Sequence, residues 1–342
     1  MDTLRAVLVG CGNMSRGWLR TITAIEGLAV AGLVDVVEDA ARARKDEFGL
    51  AHALIGDDLE AMLSVVKPDI VFDVTVPEAH AQTTLTALRH GCHVLGEKPM
   101  ATSMEDARRM VEAAQRAGKL YAVAQNRRFT APIRRVREFL RSGAIGDLTT
   151  VNCDFYIGAH FGGFRNHMSH VLLLDMAIHT FDQARFLTGL DAVRVAFCRE
   201  WNPHGSWYDR DASAIAVFEM DDGAIFTYRG SWCAEGMNTS WEGDWRFVGA
   251  NGSARWDGGA GFYAQTPEAP NGLVYKQRNL ALPELDTNGL SEGHASVIRQ
   301  FVRCVREGGT PETICTDNIK SLAMVFGAIE AATSGRPITI QI

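Results

Sequence analysis

The sequence predicts an α/β domain built on a doubly wound parallel sheet over residues 1–125, followed by an α+β domain with a mainly antiparallel sheet over residues 126–342. Three observations carry that expectation. Short, nearly continuous apolar runs alternate with amphipathic stretches through the first third of the chain. Residues 193–263 then read as consecutive strands with turn residues between them. Finally, 342 residues exceed what one hydrophobic core commonly serves.

In the first part, strands are expected over 5–9, 28–34, 53–55, 70–76, 93–95 and 120–124, and helices over 14–25, 38–48, 59–66, 78–90 and 104–117. The strands lack in–out alternation, as expected when helices cover both sheet faces. Their repetition with helices implies parallel pairing. In the second part, a helix over 132–141 precedes a long alternating strand over 147–157 and a helix over 171–187. Turn signals at Asp221-Asp222-Gly223 and Ala250-Asn251-Gly252 mark hairpins in the β-rich stretch. Residues 266–289 show little periodicity and read as a surface loop. Helices over 291–307 and 317–333 and a last strand over 337–342 complete the pattern.

Composition narrows the function classes. Net charge is −7, and no dense basic run occurs, so neither nucleic acid nor an anionic membrane surface is expected as a partner. The 7 cysteines form no CxxC pair, which reads as reduced thiols rather than a disulfide framework or structural zinc site. Met1-Asp2-Thr3-Leu4-Arg5 runs into a strand without a charged-then-apolar leader, and no apolar stretch approaches the ~20 residues of a membrane span. A cytoplasmic protein is expected.

Gly10-Cys11-Gly12-Asn13-Met14-Ser15 joins the first strand to the first helix. This GxGxxS string is one residue from the dinucleotide fingerprint of Rossmann domains. There the first glycine makes the tight turn and the second lets the backbone approach a pyrophosphate at the helix N-terminus. Asp35 closes the second strand, where a carboxylate accepts from ribose hydroxyls and repels a 2′-phosphate. NAD is therefore expected over NADP, with Arg42 and Arg44 keeping NADP open.

Glu97-Lys98-Pro99 follows the fifth strand at the carboxyl edge of the sheet. Lys98 is placed there to donate to a substrate oxygen and to stabilise alkoxide-like charge. Asp175 and His179 are four apart on a predicted helix, with Asp182 one turn on. Carboxylate beside imidazole suits substrate positioning and proton transfer. A metal reading of Asp175, His179 and Asp182 is weaker, because no further ligand cluster with zinc-type spacing accompanies them.

Together with Val76-Pro77-Glu78-Ala79-His80, Asn126-Arg127-Arg128-Phe129 and Ser334-Gly335-Arg336-Pro337, these motifs resemble the Gfo/Idh/MocA oxidoreductases over most of the chain. The resemblance implies a Rossmann domain, then a domain with a large open antiparallel sheet whose face forms a homodimer or homotetramer. It implies an NAD-dependent enzyme transferring a hydride between nicotinamide and a hydroxyl or carbonyl carbon of a sugar, sugar acid or cyclitol. On that basis Lys98 is the catalytic lysine, Asp175 orients substrate, and His179 is the general acid/base. Gly10, Gly12, Asn13, Met14, Asp35, Val76, Pro77, His80, Glu97, Lys98 and Asn126 are expected at the cofactor, with Arg127 and Tyr156 beside the substrate.

Where the family often has a glycine-rich run before the helical Asp, this chain has Ser169-His170-Val171-Leu172-Leu173. His170, with His160, Arg165 and His167, either replaces the usual substrate contacts or forms a solvated loop. Relatives that cleave glycosides through transient oxidation, and relatives that only sense NAD as regulators, define the two competing function classes.

Overall fold

A computed structural model describes residues 3–268 and 273–342. The first segment alternates strand and helix as β1 (Leu4–Val9), α1 (Ser15–Ile22), β2 (Leu28–Val34), α2 (Glu38–Glu47), β3 (Leu54–Gly56), α3 (Leu59–Val66), β4 (Ile70–Asp73), α4 (Pro77–Arg89), β5 (His93–Gly96), α5 (Met104–Ala117) and β6 (Tyr121–Val123). Local chemistry sets several boundaries. Asp58 and Ser103 cap α3 and α5 by accepting the Ala61 and Asp106 amides, and Gly118 ends α5 in the left-handed region. β4 stops earlier than the apolar run suggests, because the Asp73 carboxylate accepts from the Thr75 amide (3.1 Å) and hydroxyl (2.6 Å) and folds the chain into a turn. Pro77 then opens α4, where its missing N–H removes nothing from the helix.

Among the described residues these strands form one sheet in the order β3-β2-β1-β4-β5-β6, with all the pairings parallel. The order reverses between β1 and β4, so the carboxyl ends of these two strands flank the crevice where doubly wound sheets take ligands.

The second sheet is built from α6 (Ala131–Arg141), β7 (Leu148–Tyr156), α7 (Ile178–Thr188), β8 (Ala192–Trp201), β9 (Ser213–Met220), β10 (Ile225–Ser231), β11 (Asp244–Gly249), β12 (Gly252–Trp256), β13 (Phe262–Pro267) and β14 (Gln277–Leu280). It is antiparallel apart from the parallel β7–β10 pair. α7 covers one face, where Phe181 meets Phe218, Phe226 and Tyr228 edge-on. The expected loop over 266–289 is partly wrong. Gln277–Leu280 pairs with β13 as an edge strand, and its residues are mostly exposed, so no apolar alternation announces it. Residues 269–272 of that stretch lie outside the described residues.

The chain then returns to where it began. Residues 289–319 group with residues 1–129 in one compact unit, and residues 130–288 with 320–342 in the other. A single crossing near residue 125 therefore understates the exchange. The cause is α8 (His294–Glu307), whose Val297, Ile298, Phe301 and Val302 share one core with Trp18, Leu19, Ile22 and Phe72. α9 (Cys315–Ser334) and β15 (Ile338–Thr339) follow, the latter pairing with β8.

Phe301→Ala tests the return. Deleting a fully buried ring from this core should lower unfolding free energy by roughly 3–5 kcal/mol in urea titrations. A loss below about 1 kcal/mol would place α8 outside that core.

Candidate functional site

The glycine turn has the form a dinucleotide needs. Gly10 sits at φ +89°, and a Cβ there would come within 2.5 Å of the Val74 carbonyl oxygen, so only glycine lets β1 turn this close to the end of β4. A Cβ at Gly12 would meet nothing within 4 Å, leaving that backbone open to a ligand. α1 has no side-chain cap and no acidic residue in its first turn, and its first amides close onto the Gly12, Asn13 and Met14 carbonyls, so it is the positive end of the helix that suits an anion. Ser15 is fully buried and donates to the Gly12 carbonyl (2.6 Å), which closes the turn from beneath. Asn13 and Met14 are exposed beside it.

Asp35 is tied into the same turn. Its Oδ2 accepts the Cys11 amide (2.7 Å) and its Oδ1 the Val37 amide (2.9 Å). Each oxygen keeps a further lone pair for a ribose hydroxyl. Arg42 pairs with Glu38 (2.6 Å), and Arg44 is buried between Glu47 and the Ser15 hydroxyl. Both of the arginines that kept NADP open are therefore engaged within the protein. Burial, reinforced by the Asp35 charge, pushes the Cys11 thiol up to about 12.

At the carboxyl ends of β4 and β5 a second group of predicted residues converges. Val76 is exposed and Pro77 begins α4. His80 is buried, with Nδ1 2.7 Å from the Pro99 carbonyl and Nε2 3.2 Å from the Thr75 carbonyl, so it pins the Glu97-Lys98-Pro99 loop to the β4–α4 turn. Lys98 is half-buried. Glu97 is buried, yet it is richly bonded. Its Oε1 accepts from Trp18 Nε1 at 2.8 Å and lies 3.2 Å from His294 Nε2, while its Oε2 accepts the Lys98 amide at 3.2 Å. Burial pushes the Glu97 carboxyl up, but His294, the Trp18 indole and the Lys98 charge outweigh it and hold the group below the usual range. Asn126 and Arg127 lie in a 3-10 turn after β6, half-buried. His294 escaped sequence reasoning altogether, because it stands far along the chain with no motif around it.

In the other unit, Asp175 and His179 do not occupy one regular α-helix. Leu172–Ala177 forms a π-helical turn that passes into α7 at Ile178. Such turns add a residue and re-aim the side chains they carry, and they recur at functional sites. Leu172, Leu173 and Met176 are buried, whereas the Asp175 carboxylate accepts from Arg165 Nε at 2.6 Å. The Arg165 guanidinium lies over the rings of Phe161 (5.1 Å) and Phe164 (4.8 Å), which fixes it in place. His179 is buried in the first turn of α7. Asp182 accepts from the Ser321 hydroxyl at 2.8 Å and belongs to the buried packing of α7. Among the described residues no three His, Cys, Asp or Glu side chains are grouped to hold a metal ion.

The histidines upstream each face a carboxylate: His160 with Glu235 (2.6 Å), His167 with Asp209 (2.5 Å) and His170 with Glu200 (2.6 Å). The hydrogen bond to Glu200 raises His170 above the ordinary imidazole range. Tyr156 is not brought to this group. Along β7 it alternates onto the face opposite Phe155, and Phe155 shares the α7 side with Cys153 and Val151. Tyr156 instead lies near the Asp154–Arg229 ion pair.

Residues 4–125 match the family model described as "Oxidoreductase family, NAD-binding Rossmann fold", and residues 133–255 match the GFO/IDH/MocA C-terminal domain. D-apiose dehydrogenase of Paraburkholderia graminis is 27% identical over 98% of this chain and 90% of its own. D-glucoside 3-dehydrogenase of Escherichia coli is 30% identical over 65% of this chain and 68% of its own. An oxidoreductase from Agrobacterium radiobacter, solved with NAD+, L-tartaric acid and magnesium, shares the fold at TM-score 0.86 and 23% identity, with 99% of each chain covered.

One buried acid lies beneath the Glu97 loop. Burial, reinforced by the Glu97 charge, raises the Asp73 carboxyl, while His80 and the Thr75 hydrogen bonds pull against it without cancelling. A raised group contributes stability below its unfolded value and loses it as pH rises through the folded value. Asp73→Asn keeps the Thr75 acceptor and cannot titrate. The melting temperature of the wild type should fall relative to this variant as pH rises from about 4 to 8. A relative rise would show Asp73 to be a stabilising anion.

Proposed function

The chain belongs to the Gfo/Idh/MocA oxidoreductase family, and from that premise we propose that it is an NAD-dependent dehydrogenase acting on a hydroxyl carbon of a sugar, sugar acid or cyclitol. NAD, when bound, supplies the hydride acceptor. The residues present fit it: an open glycine backbone at Gly12, an uncapped α1 N-terminus and the Asp35 carboxylate. Asn13, Met14, Val76, Pro77, His80, Glu97 and Asn126 complete the cofactor's surroundings in this reading. NAD is preferred over NADP because Asp35 repels a 2′-phosphate and Arg42 and Arg44 are already paired.

The observation that carries the reading is the anchored Glu97-Lys98 pair at the carboxyl edge of the parallel sheet. Lys98 donates to the substrate oxygen and stabilises it as the carbinol carbon gives up its hydride. His179 accepts the hydroxyl proton and returns it in the reverse direction. Asp175, steadied by Arg165, accepts from a neighbouring substrate hydroxyl, with Arg127 near the same substrate. The relatives named for D-apiose and D-glucosides point to polyhydroxylated substrates. A cytoplasmic homodimer or homotetramer joined through the nine-stranded sheet completes the proposal, supported by seven free thiols and by exposed Val193, Phe197 and Tyr263 on its strands.

Purified protein with NAD and a panel of sugars, sugar acids and inositols should generate NADH absorbance. Lys98→Ala should lower turnover by about 10²–10³-fold while NAD binding survives. Full turnover in that variant, or sugar release without net NADH, would overturn the assignment. NADP should support at least roughly tenfold lower kcat/KM, and Asp35→Ala should narrow the gap.

A further inference from the structure

We propose that His294 is a positioning residue for the Glu97-Lys98 pair, acting from the return segment through the Glu97 carboxylate. The inference rests on the dehydrogenase reading for its catalytic consequence, and on geometry for its existence.

His294 is the first residue of α8. Gly293 before it adopts φ +57°, and its amide donates to the Phe129 carbonyl at 2.8 Å. That contact registers the start of α8 against the end of the β6 segment, while Val297, Ile298 and Phe301 seat the helix in the core around Trp18. The imidazole thereby reaches Glu97 Oε1 at 3.2 Å, the oxygen that also accepts the Trp18 indole N–H. Trp18 is itself held edge-on against Phe72 (5.9 Å) with the His294 ring nearby (6.4 Å). The Trp18 indole N–H and the His294 imidazole, from separate helices, therefore meet at one carboxylate oxygen, and the other oxygen accepts the Lys98 amide.

The chain of contacts sets what His294 can do. Without His294 the carboxylate keeps Trp18 on Oε1 and the Lys98 amide on Oε2 but loses the second partner on Oε1. With His294 in place Oε1 is held from two helices, which restrains the torsion that presents Oε2 to the Lys98 amide. Small displacements of a group that acts on a reacting atom reduce rate steeply, and about 1 Å can cost on the order of 10²-fold. His294 touches neither substrate nor cofactor in this account, so its effect on the reaction passes through Glu97 and Lys98.

Two variants separate donation from bulk: His294→Leu, which fills space without a donor, and His294→Gln, which keeps an N–H. In full-length protein, His294→Leu should lower kcat by about tenfold or more, and His294→Gln should restore most of it. A second readout needs no turnover. The ¹³C signal of the Glu97 carboxyl, identified by its loss in Glu97→Gln, should titrate at higher pH in His294→Leu than in the wild type, with His294→Gln between the two because it keeps an N–H and loses the charge. That titration stands even if no polyol is oxidised, so failure of the dehydrogenase reading and failure of this proposal are told apart. Equal loss in both variants, or an unmoved Glu97 titration in His294→Leu, would overturn it. If His294→Leu does not fold, folded His294→Gln decides: a Glu97 titration moved to higher pH upholds the contact, and an unmoved one overturns it.

Discussion

A carboxylate buried at the end of β5 has to remain charged, and much of the first unit is arranged around that demand. Removing an anion from water is strongly unfavourable unless hydrogen bonds and opposite charge replace the lost solvent. Glu97 obtains them from Trp18 on α1, His294 on α8 and the amide and charge of Lys98. These donors come from three separate parts of the chain, and the loop they hold is pinned again by His80 through the Pro99 carbonyl. The same α1 that supplies Trp18 begins at the glycine turn, so the proposed phosphate site and one anchor of Glu97 share a helix.

The second unit solves a related problem by different means. Asp175 must present a carboxylate while its neighbours Leu172, Leu173 and Met176 are buried. A π-helical turn changes the angular spacing so that this is possible, and Arg165, held over Phe161 and Phe164, neutralises the acid at close range. His170 enters the segment at φ +53° with its ring bonded to Glu200, which secures the start of the turn to β8. Each histidine of the preceding loop lies beside an acid, so the loop presents hydrogen-bonded pairs rather than a basic patch.

Much of this was legible in the amino-acid string. The alternation of apolar runs and amphipathic stretches gave the order of the parallel unit, because its central strands are covered on both faces. Gly10, Gly12, Asp35 and Lys98 were visible because their chemistry lies in short contiguous motifs next to strand ends. What escaped notice depends on contacts distant in sequence or on exposure. His294 acts only after α8 folds back onto Trp18. Gln277–Leu280 forms its strand through backbone hydrogen bonds at an exposed edge, where side-chain pattern carries no signal. Tyr156 looked eligible by its position at a strand end, but a one-residue alternation decides its face. Arg44 looked like an available cation, and its burial against Ser15 and Glu47 appears only in three dimensions.

The claim that joins these observations is that the buried Glu97 carboxylate aims Lys98 at the nicotinamide. A crystal structure of the protein with NAD and a bound polyol measures it most directly. The account predicts Glu97 still bonded to Trp18 and His294, with Lys98 Nζ within about 2.6–3.2 Å of the hydroxyl oxygen whose carbon faces the nicotinamide C4. A lysine directed away from that carbon beyond hydrogen-bond reach, with Glu97 unchanged, would contradict it.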